Sequence, residues 1–598
     1  MFVKETKVKR GERAYAYVQL VEGYRDERGK VRHRVVANLG RKEELKASGQ
    51  LEKLAGAFAR LDPPLIGTRR EVGALLLAWH FLTELDVAGV VDRSLPRSER
   101  SELSVGEVVC ALVASRLCSP SPLYDIAGWG SGAAVRELLG IPPQLLNDDR
   151  LGRALETFAV YAESVRGMLA ARAIERFGTD AGRLHVDLTT VRVAGAYEDS
   201  ALVAKGWGSD RHVARQVRTL QAASGDGVSL YLRPDPGNCS ELALVGQSLE
   251  RLAAFARPGM LMVCDSALGQ PKPLCQIHRA GLHFIVPLKT STAFQERYLT
   301  DGGLAALRPI RHVAEREKKL PPARRTKYRG ALCDWDVEDP ETCEPRSFRV
   351  AYIHSSEEQT QVANARERTL VKAEDELTRV RNGLGGRYYK TETQVQRRVG
   401  QIIAKNIQGL ITVTVSEDHP AKPTISWQRD HDAIARATLT DGLYALATNM
   451  PDTRLTAGRI LRLYKEQEVV ERRHRDLKQT LKVRPIFLHN DDRIYALISI
   501  IGIALLIFGL IETQLRQALD ADDHHDKRLP LLPESRLSKP TGANTLAAFQ
   551  GLDLTYTHRG IELDPLTPTQ QRILDLLAIQ PPWPQRGQVE DTNCGKWG

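Results

Sequence analysis

RLHVDLTTVRV at residues 183–193, QVRTLQAAS at 216–224 and GVSLYLRPD at 227–235 are three strand-like runs in succession, separated by turns. A helical stretch, SELALVGQSLERLAAFA (240–256), comes next, then the apolar run GMLMVCDSA (259–267). PKPLCQIHRAG (271–281) is a short helical piece and LHFIVPLK (282–289) a further strand. Three strands, helix, strand, helix, strand is the element order of an α/β domain. Two acids stand out in it. Asp187 is flanked by Leu184, Val186 and Leu188, so the alternation of a strand projects it from the face opposite the apolar set. Asp265 ends the LMVC run, at the C-terminal edge of its strand, where α/β sheets place ligand groups. Either aspartate alone suits a helix cap or turn; on two neighbouring strands they make a candidate metal pair.

The same pattern dissolves on either side. Residues 1–50 read as a β-hairpin, AYAYVQLVEGYRD and KVRHRVVANLG around a turn at Glu27-Arg28-Gly29. From 51 to 178 the spacing is helical, in EVGALLLAWHFLTEL, LSVGEVVCALVASRL and LGRALETFAVYAESVRGMLAARAIERF. Such a bundle is either scaffold or a helix-turn-helix reader of DNA. After 290 the regularity breaks. RPIRHVAEREKKLPPARRTKYRG (308–330) carries nine Arg or Lys against two Glu, a solvated loop or a phosphate-binding patch that includes Arg324, Arg325 and Lys327. Leu370, Ala373, Leu377, Val380 and Leu384, then Val395, Val399, Ile402 and Ile403 beyond Gly385-Gly386, predict an antiparallel helical hairpin. Strands GLITVTVSE and TDGLYALATNM follow, so 291–440 reads as an insertion, with the α/β domain spanning 179–290 and 441–515.

Size and composition limit the alternatives. A chain of 598 residues exceeds one hydrophobic core. A net charge of +10 favours a polyanionic partner without choosing among them. The eight cysteines form no C-x-x-C pair, which disfavours a zinc finger and suits reduced thiols of a cytoplasmic protein. The N-terminus has no apolar signal-peptide run. Gly23–Lys30 lacks the spacing and the Ser/Thr of a phosphate-binding loop, so no nucleotide cofactor is expected. Ile494–Ile511 is uncharged over 18 residues; the expectation is a buried core helix rather than a membrane span.

LYKEQEVVERRHRDLKQTLKVRP (463–485) supplies the remaining chemistry. On one continuous helix Tyr464, Gln467, Glu471 and Lys478 fall within a stripe about 60° wide, beside an apolar stripe of Leu463, Val470 and Leu477. Glu and Lys at heptad spacing are ordinarily a solvated face, but the uncharged 494–511 stretch follows at once. These residues resemble the DDE transposases of bacterial insertion sequences, in the group with a helical Tyr-x2-Arg-x3-Glu-x6-Lys signature. Here it reads Tyr464-x2-Gln467-x3-Glu471-x6-Lys478, with Gln467 in place of Arg. HVDLTTV (185–191), PGNCSE (236–241) and VCDSA (263–267) also look like the family's blocks, as do the 205 residues between Asp265 and Glu471. A weaker likeness extends to YVQLVEGYRDERGKVRHRVVANLGR near the N-terminus and RILDLLA near the C-terminus.

The resemblance implies a ribonuclease H-like catalytic domain in which Asp187, Asp265 and Glu471 ligate two Mg²⁺ or Mn²⁺ ions for in-line phosphoryl transfer. It implies double-stranded DNA as partner, both the terminal inverted repeats of the element and the target, handled by a homodimer. Tyr464, Gln467 and Lys478 inherit contacts to the DNA end; Gln467 has no charge for a bidentate phosphate contact. His185 and His474 read as groups that hydrogen-bond a neighbouring carboxylate or lie at the surface, Trp427 as packing rather than a stacking platform. The C-terminal region, 516–598, is expected at most to make dimer contacts. Rival readings are a lapsed, DNA-binding descendant and a site-specific nuclease that cuts without joining.

Overall fold

The computed structural model describes residues 2–10, 13–25, 31–48, 66–96, 102–208, 212–240, 258–289, 291–403, 407–419, 422–451, 455–483, 486, 488–522 and 526–586. The helix expected over 240–256 lies outside them beyond its first residue, as does the turn at 27–29. The chain forms two compact units. One comprises residues 1–181, 187–240 and 469–598, the other 182–186 and 241–468. Both mix strands and helices, an α/β class.

The first unit is organised around one helix, Asp491–Ala521. Asn490 caps it by accepting from the Arg493 N–H, and Asp491 and Asp492 place negative charge at its positive end. Ile494 and every residue from Ala496 to Thr513 are buried, so the uncharged stretch is a core helix. Burying each Leu or Ile contributes on the order of 1.5–3 kcal/mol. Its neighbours are the helices Val105–Cys118 and Asp148–Phe177 and strand β8 (Ser229–Pro236). Gly502 and Gly509 let the helix lie close on β8 and the turn before it. A Cβ at Gly502 meets Leu232 Cβ at 3.1 Å, and one at Gly509 meets Val228 Cα at 3.1 Å.

Within this unit β7 (Val213–Ser224) pairs antiparallel with β8 on one side and with β6 (Ala204–Trp207) on the other; β5 (Arg183–Arg192) is also a neighbour of β7. The N-terminal residues differ from a simple hairpin. β2 (Arg13–Arg25) pairs with β3 (Val31–Arg41), and also with a further strand, β1 (Phe2–Arg10). The C-terminal region is not a bare tail: β19 (Asp553–Thr557) pairs with β20 (Gly560–Leu563) and with β4 (Arg69–Glu71).

The second unit carries a mixed sheet that starts at β11 (Arg308–Ile310) and runs in the order β11-β12-β13-β16-β10-β9-β5, to which β5 gives residues 183–186. β5, β9 (Leu261–Cys264) and β10 (His283–Leu288) run parallel; β16 (Leu443–Thr448) is antiparallel to β10 and to β13 (Pro345–Ser355). The 291–440 stretch is therefore not wholly separate from that sheet. β12 (Tyr328–Glu338) and β13 form a hairpin whose buried Phe348, Val350, Ala351, Tyr352 and Ile353 continue it. The helical arm is present as helices Ser356–Asn382 and Glu392–Ile402. Leu370, Ala373, Leu377, Val380, Val395 and Ile402 form its core with Ile411 and Ile425, which belong to the two-stranded sheet of β14 (Ile411–His419) and β15 (Lys422–Arg429).

Candidate active site

Asp187 sits on β5 with its Oδ1 accepting from the Leu188 N–H at 2.7 Å. The preceding residues do not alternate as expected: Leu184, His185 and Val186 are all buried. A strand paired in parallel is covered on both faces, so an inward histidine is enclosed as fully as an apolar side chain. Burial, with the Arg183 charge behind it, lowers the His185 pKa to about 4. In the second unit Val186 pairs with Cys264; the next residues in the chain are Asp187 and Asp265. Asp265 is exposed, and its Oδ1 accepts from the Ser266 N–H at 2.5 Å, opening a short 3-10 turn.

The Tyr464–Lys478 signature is not one helix. Helix Ala457–Lys465 stops, Glu466 and Gln467 form a turn, and helix Glu468–Arg475 restarts. The Gln467 N–H donates to the Tyr464 carbonyl at 3.0 Å, a tightened i to i+3 bond, and Glu466 is ion-paired with Arg183. After Arg475 the chain passes through a π turn, Asp476–Thr480, closed by the Leu481 N–H on the Asp476 carbonyl at 2.9 Å. The common stripe expected from uniform 3.6-residue spacing is lost at both breaks. Tyr464 is half-buried against the second unit's core and Gln467 lies in the turn, whereas Glu471 and Lys478 belong to the first unit.

Within the first unit, the segment from Val469 to Thr480 is bonded to β5 at two points. His474 Nδ1 lies 3.3 Å from Asp187 Oδ2, and Lys478 Nζ donates to Thr189 Oγ1 at 2.5 Å. Burial, then the Lys478 charge, lowers the His474 pKa to about 3. The imidazole is thus neutral at physiological pH. Glu471 is exposed, three residues before His474, so the two lie on adjacent turns of one helix face.

Behind this face stands a buried charge network that sequence spacing did not reveal. The Arg473 guanidinium, 1% exposed, donates to the Gly227 carbonyl at 2.6 Å, Asp476 Oδ2 at 2.9 Å and Glu512 Oε2 at 3.1 Å. Glu512 also receives Arg472, Arg516 and the Gly542 N–H. These cations hold the Glu512 carboxyl below its usual range, outweighing desolvation. Its one local signal in the sequence is an acid, Glu512, directly after the uncharged 494–511 run.

The basic loop has mixed assignments. Arg324 and Lys327 are exposed, whereas Arg325 donates to the carbonyls of Leu320 and Lys318 at 2.8 and 3.1 Å and closes its own turn. Trp427 packs on the helical-hairpin core, with Arg381 over its ring at 4.9 Å. Among the described residues, no three His, Cys, Asp or Glu side chains are grouped as a metal site.

Three family models match successive parts of the chain. The N-terminal domain of IS1634 family transposases matches residues 3–63, a domain of unknown function (DUF4277) residues 69–169, and the transposase DDE domain residues 179–507. No curated protein matches. The DDE match covers more than half of the chain and contains both aspartates, the whole Tyr464–Lys478 signature and the core helix as far as Ile507; the chain belongs to the DDE transposases of insertion sequences.

Proposed function

We propose that this transposase cleaves DNA at the ends of its element and joins the freed 3′-hydroxyl to target DNA, with Asp187, Asp265 and Glu471 as its acidic triad. One observation carries the reading: His474 and Lys478, from the Glu471-bearing segment, bond to Asp187 and Thr189 on β5. That anchorage supports a pairing of the first and third carboxylates. Within the second unit, Val186 and Cys264, the residues that precede the first and second carboxylates in the chain, are partners on neighbouring strands. The strand order β8-β7-β5 in one unit and β5-β9-β10 in the other fits a ribonuclease H-like arrangement.

The donor set suits a divalent ion. Three carboxylates are hard oxygen ligands fit for Mg²⁺ or Mn²⁺. When bound, a pair of such ions supplies Lewis-acid polarisation of the phosphate and a lowered pKa for the attacking hydroxyl. The chain's own groups do the rest. His474 fixes the Asp187 rotamer, Lys478 is held by Thr189 beside the strand, and Tyr464 and Gln467 contact the DNA end. Arg324 and Lys327 offer charge to its phosphates, with Arg325 fixing the loop that presents them. Gln467 contributes a neutral hydrogen bond where relatives with Arg make a charged one. Cleavage by water and joining by a 3′-hydroxyl are one displacement with two nucleophiles, performed in the cytoplasm by a dimer on paired ends.

Pre-cut element ends incubated with a supercoiled plasmid and Mg²⁺ test the joining step. Covalent end-to-plasmid products are expected. Cleavage of uncut ends without any joined product refutes strand transfer and leaves a nuclease.

A further inference from the structure

The helical hairpin of the second unit is charged unevenly from root to tip. From Ser356 to Glu376 there are six acids against three Arg or Lys; from Leu377 to Arg398 there are six Arg or Lys against one Glu. The root's acids are largely neutralised by arginines. Arg429 bridges Glu367 and Glu374, Arg316 pairs with Glu357, and Arg398 reaches back to Glu376.

At the tip Arg379, Arg387, Lys390 and Arg397 are exposed and have no acidic partner among the described residues. Tyr388, between two of these cations, is 73% exposed, with the Arg387 guanidinium 5.8 Å from its ring. The loop presenting them is closed on itself: the Gly385 N–H donates to the Tyr389 carbonyl, the Gly386 N–H to the Gly383 carbonyl, and the Tyr389 N–H to the Gly386 carbonyl. Four unpaired cations held at one end of an arm repel one another, an arrangement that favours a polyanionic partner.

We propose that this tip is a docking surface for target duplex DNA, gripped through its phosphates without base readout. This rests on the strand-transfer reading above. Cations on long flexible stems, plus one aromatic ring, make sequence-independent contacts, which is what a target of varied sequence requires. The recognised element ends, by contrast, need base-specific contacts.

The test compares the full-length wild type with Arg379→Gln/Arg387→Gln/Lys390→Gln/Arg397→Gln, measuring binding to a random-sequence duplex and to element-end duplex across a salt series. Each phosphate contact adds about 0.9 to the slope of log K against log salt. The variant is expected to bind the random duplex at least tenfold more weakly, with a slope shallower by up to about 3.6 for four contacts, and to bind element ends nearly as well as wild type. A second variant, with Lys at the three arginine positions, is expected to bind as wild type does, which separates charge from folding. Wild-type affinity and slope in the Gln variant overturn the proposal while leaving transposase function standing. Equal losses on both duplexes overturn the assignment to target. A wild type that binds no duplex at all sinks the strand-transfer reading and this proposal together.

Discussion

Replacing Glu512 by Gln preserves shape and removes the negative charge that compensates the buried Arg473. The carboxylate is 2% exposed and has three arginine partners. They are not equivalent. Arg472 and Arg516, 36% and 28% exposed, can turn toward solvent, and each such pair contributes about 0–1 kcal/mol. Arg473 cannot turn: it is 1% exposed and keeps only Asp476 and the Gly227 carbonyl. Breaking a buried pair by removing one partner costs about 3–5 kcal/mol where the remaining charge has no other partner; Arg473 keeps Asp476, which places the cost toward the lower end of that range. The expected loss is about 3–4 kcal/mol, a large part of a typical stability of roughly 5–15 kcal/mol. Urea unfolding followed by hydrogen exchange of the Asp491–Ala521 helix measures it. The double substitution Arg473→Met/Glu512→Leu, which removes both charges, is expected to cost less than Glu512→Gln alone. A loss below about 1 kcal/mol for Glu512→Gln, or a double variant worse than the single, refutes the claim that this network anchors the segment bearing Glu471 and His474.

Gly509→Ala sets helix propensity, worth about 1 kcal/mol in favour of Ala, against the backbone of Val228 at 3.1 Å. Overpacking at about 1–3 kcal/mol wins, so thermal unfolding is expected at lower temperature, whereas Gly400→Ala, with open space around its Cβ, is expected to raise it. Stability is also expected to decline on acidification from pH 6.5 to 5. His185 and His474 have folded pKa values of about 4 and 3, so below their ordinary value of 6.5 protons bind preferentially to the unfolded chain. His185→Gln/His474→Gln is expected to flatten that slope in urea melts; an unchanged slope contradicts the assignment of both rings as neutral.

Legibility in the sequence followed the range of the interaction. Strands β5 and β9, and the place of Asp265 just after β9, are legible because they are local features, whereas the alternation expected before Asp187 is absent because Leu184, His185 and Val186 are all buried. The 494–511 run was readable because a core helix this apolar needs no partner to identify it. The turn at Glu466-Gln467 was not, since the partner of Glu466 there is Arg183, far away in the chain. The π turn at 476–480 was hidden for the same reason, with Arg473 reaching Gly227 and Glu512. Periodicity treated 463–485 as a uniform rod, so the stripe it predicted was too regular. β12 and β13 are not legible in the sequence, because polar, charged flanks surround the buried Phe348–Ile353 stretch, which pairs with the distant β16.

Single-turnover cleavage of element-end duplex in Mg²⁺, by wild type and by Asp187→Asn, Asp265→Asn and Glu471→Gln in turn, addresses the triad most directly. The account predicts that each substitution abolishes cleavage while end binding persists. Cleavage at the wild-type rate by any one of the three contradicts its place among the catalytic carboxylates.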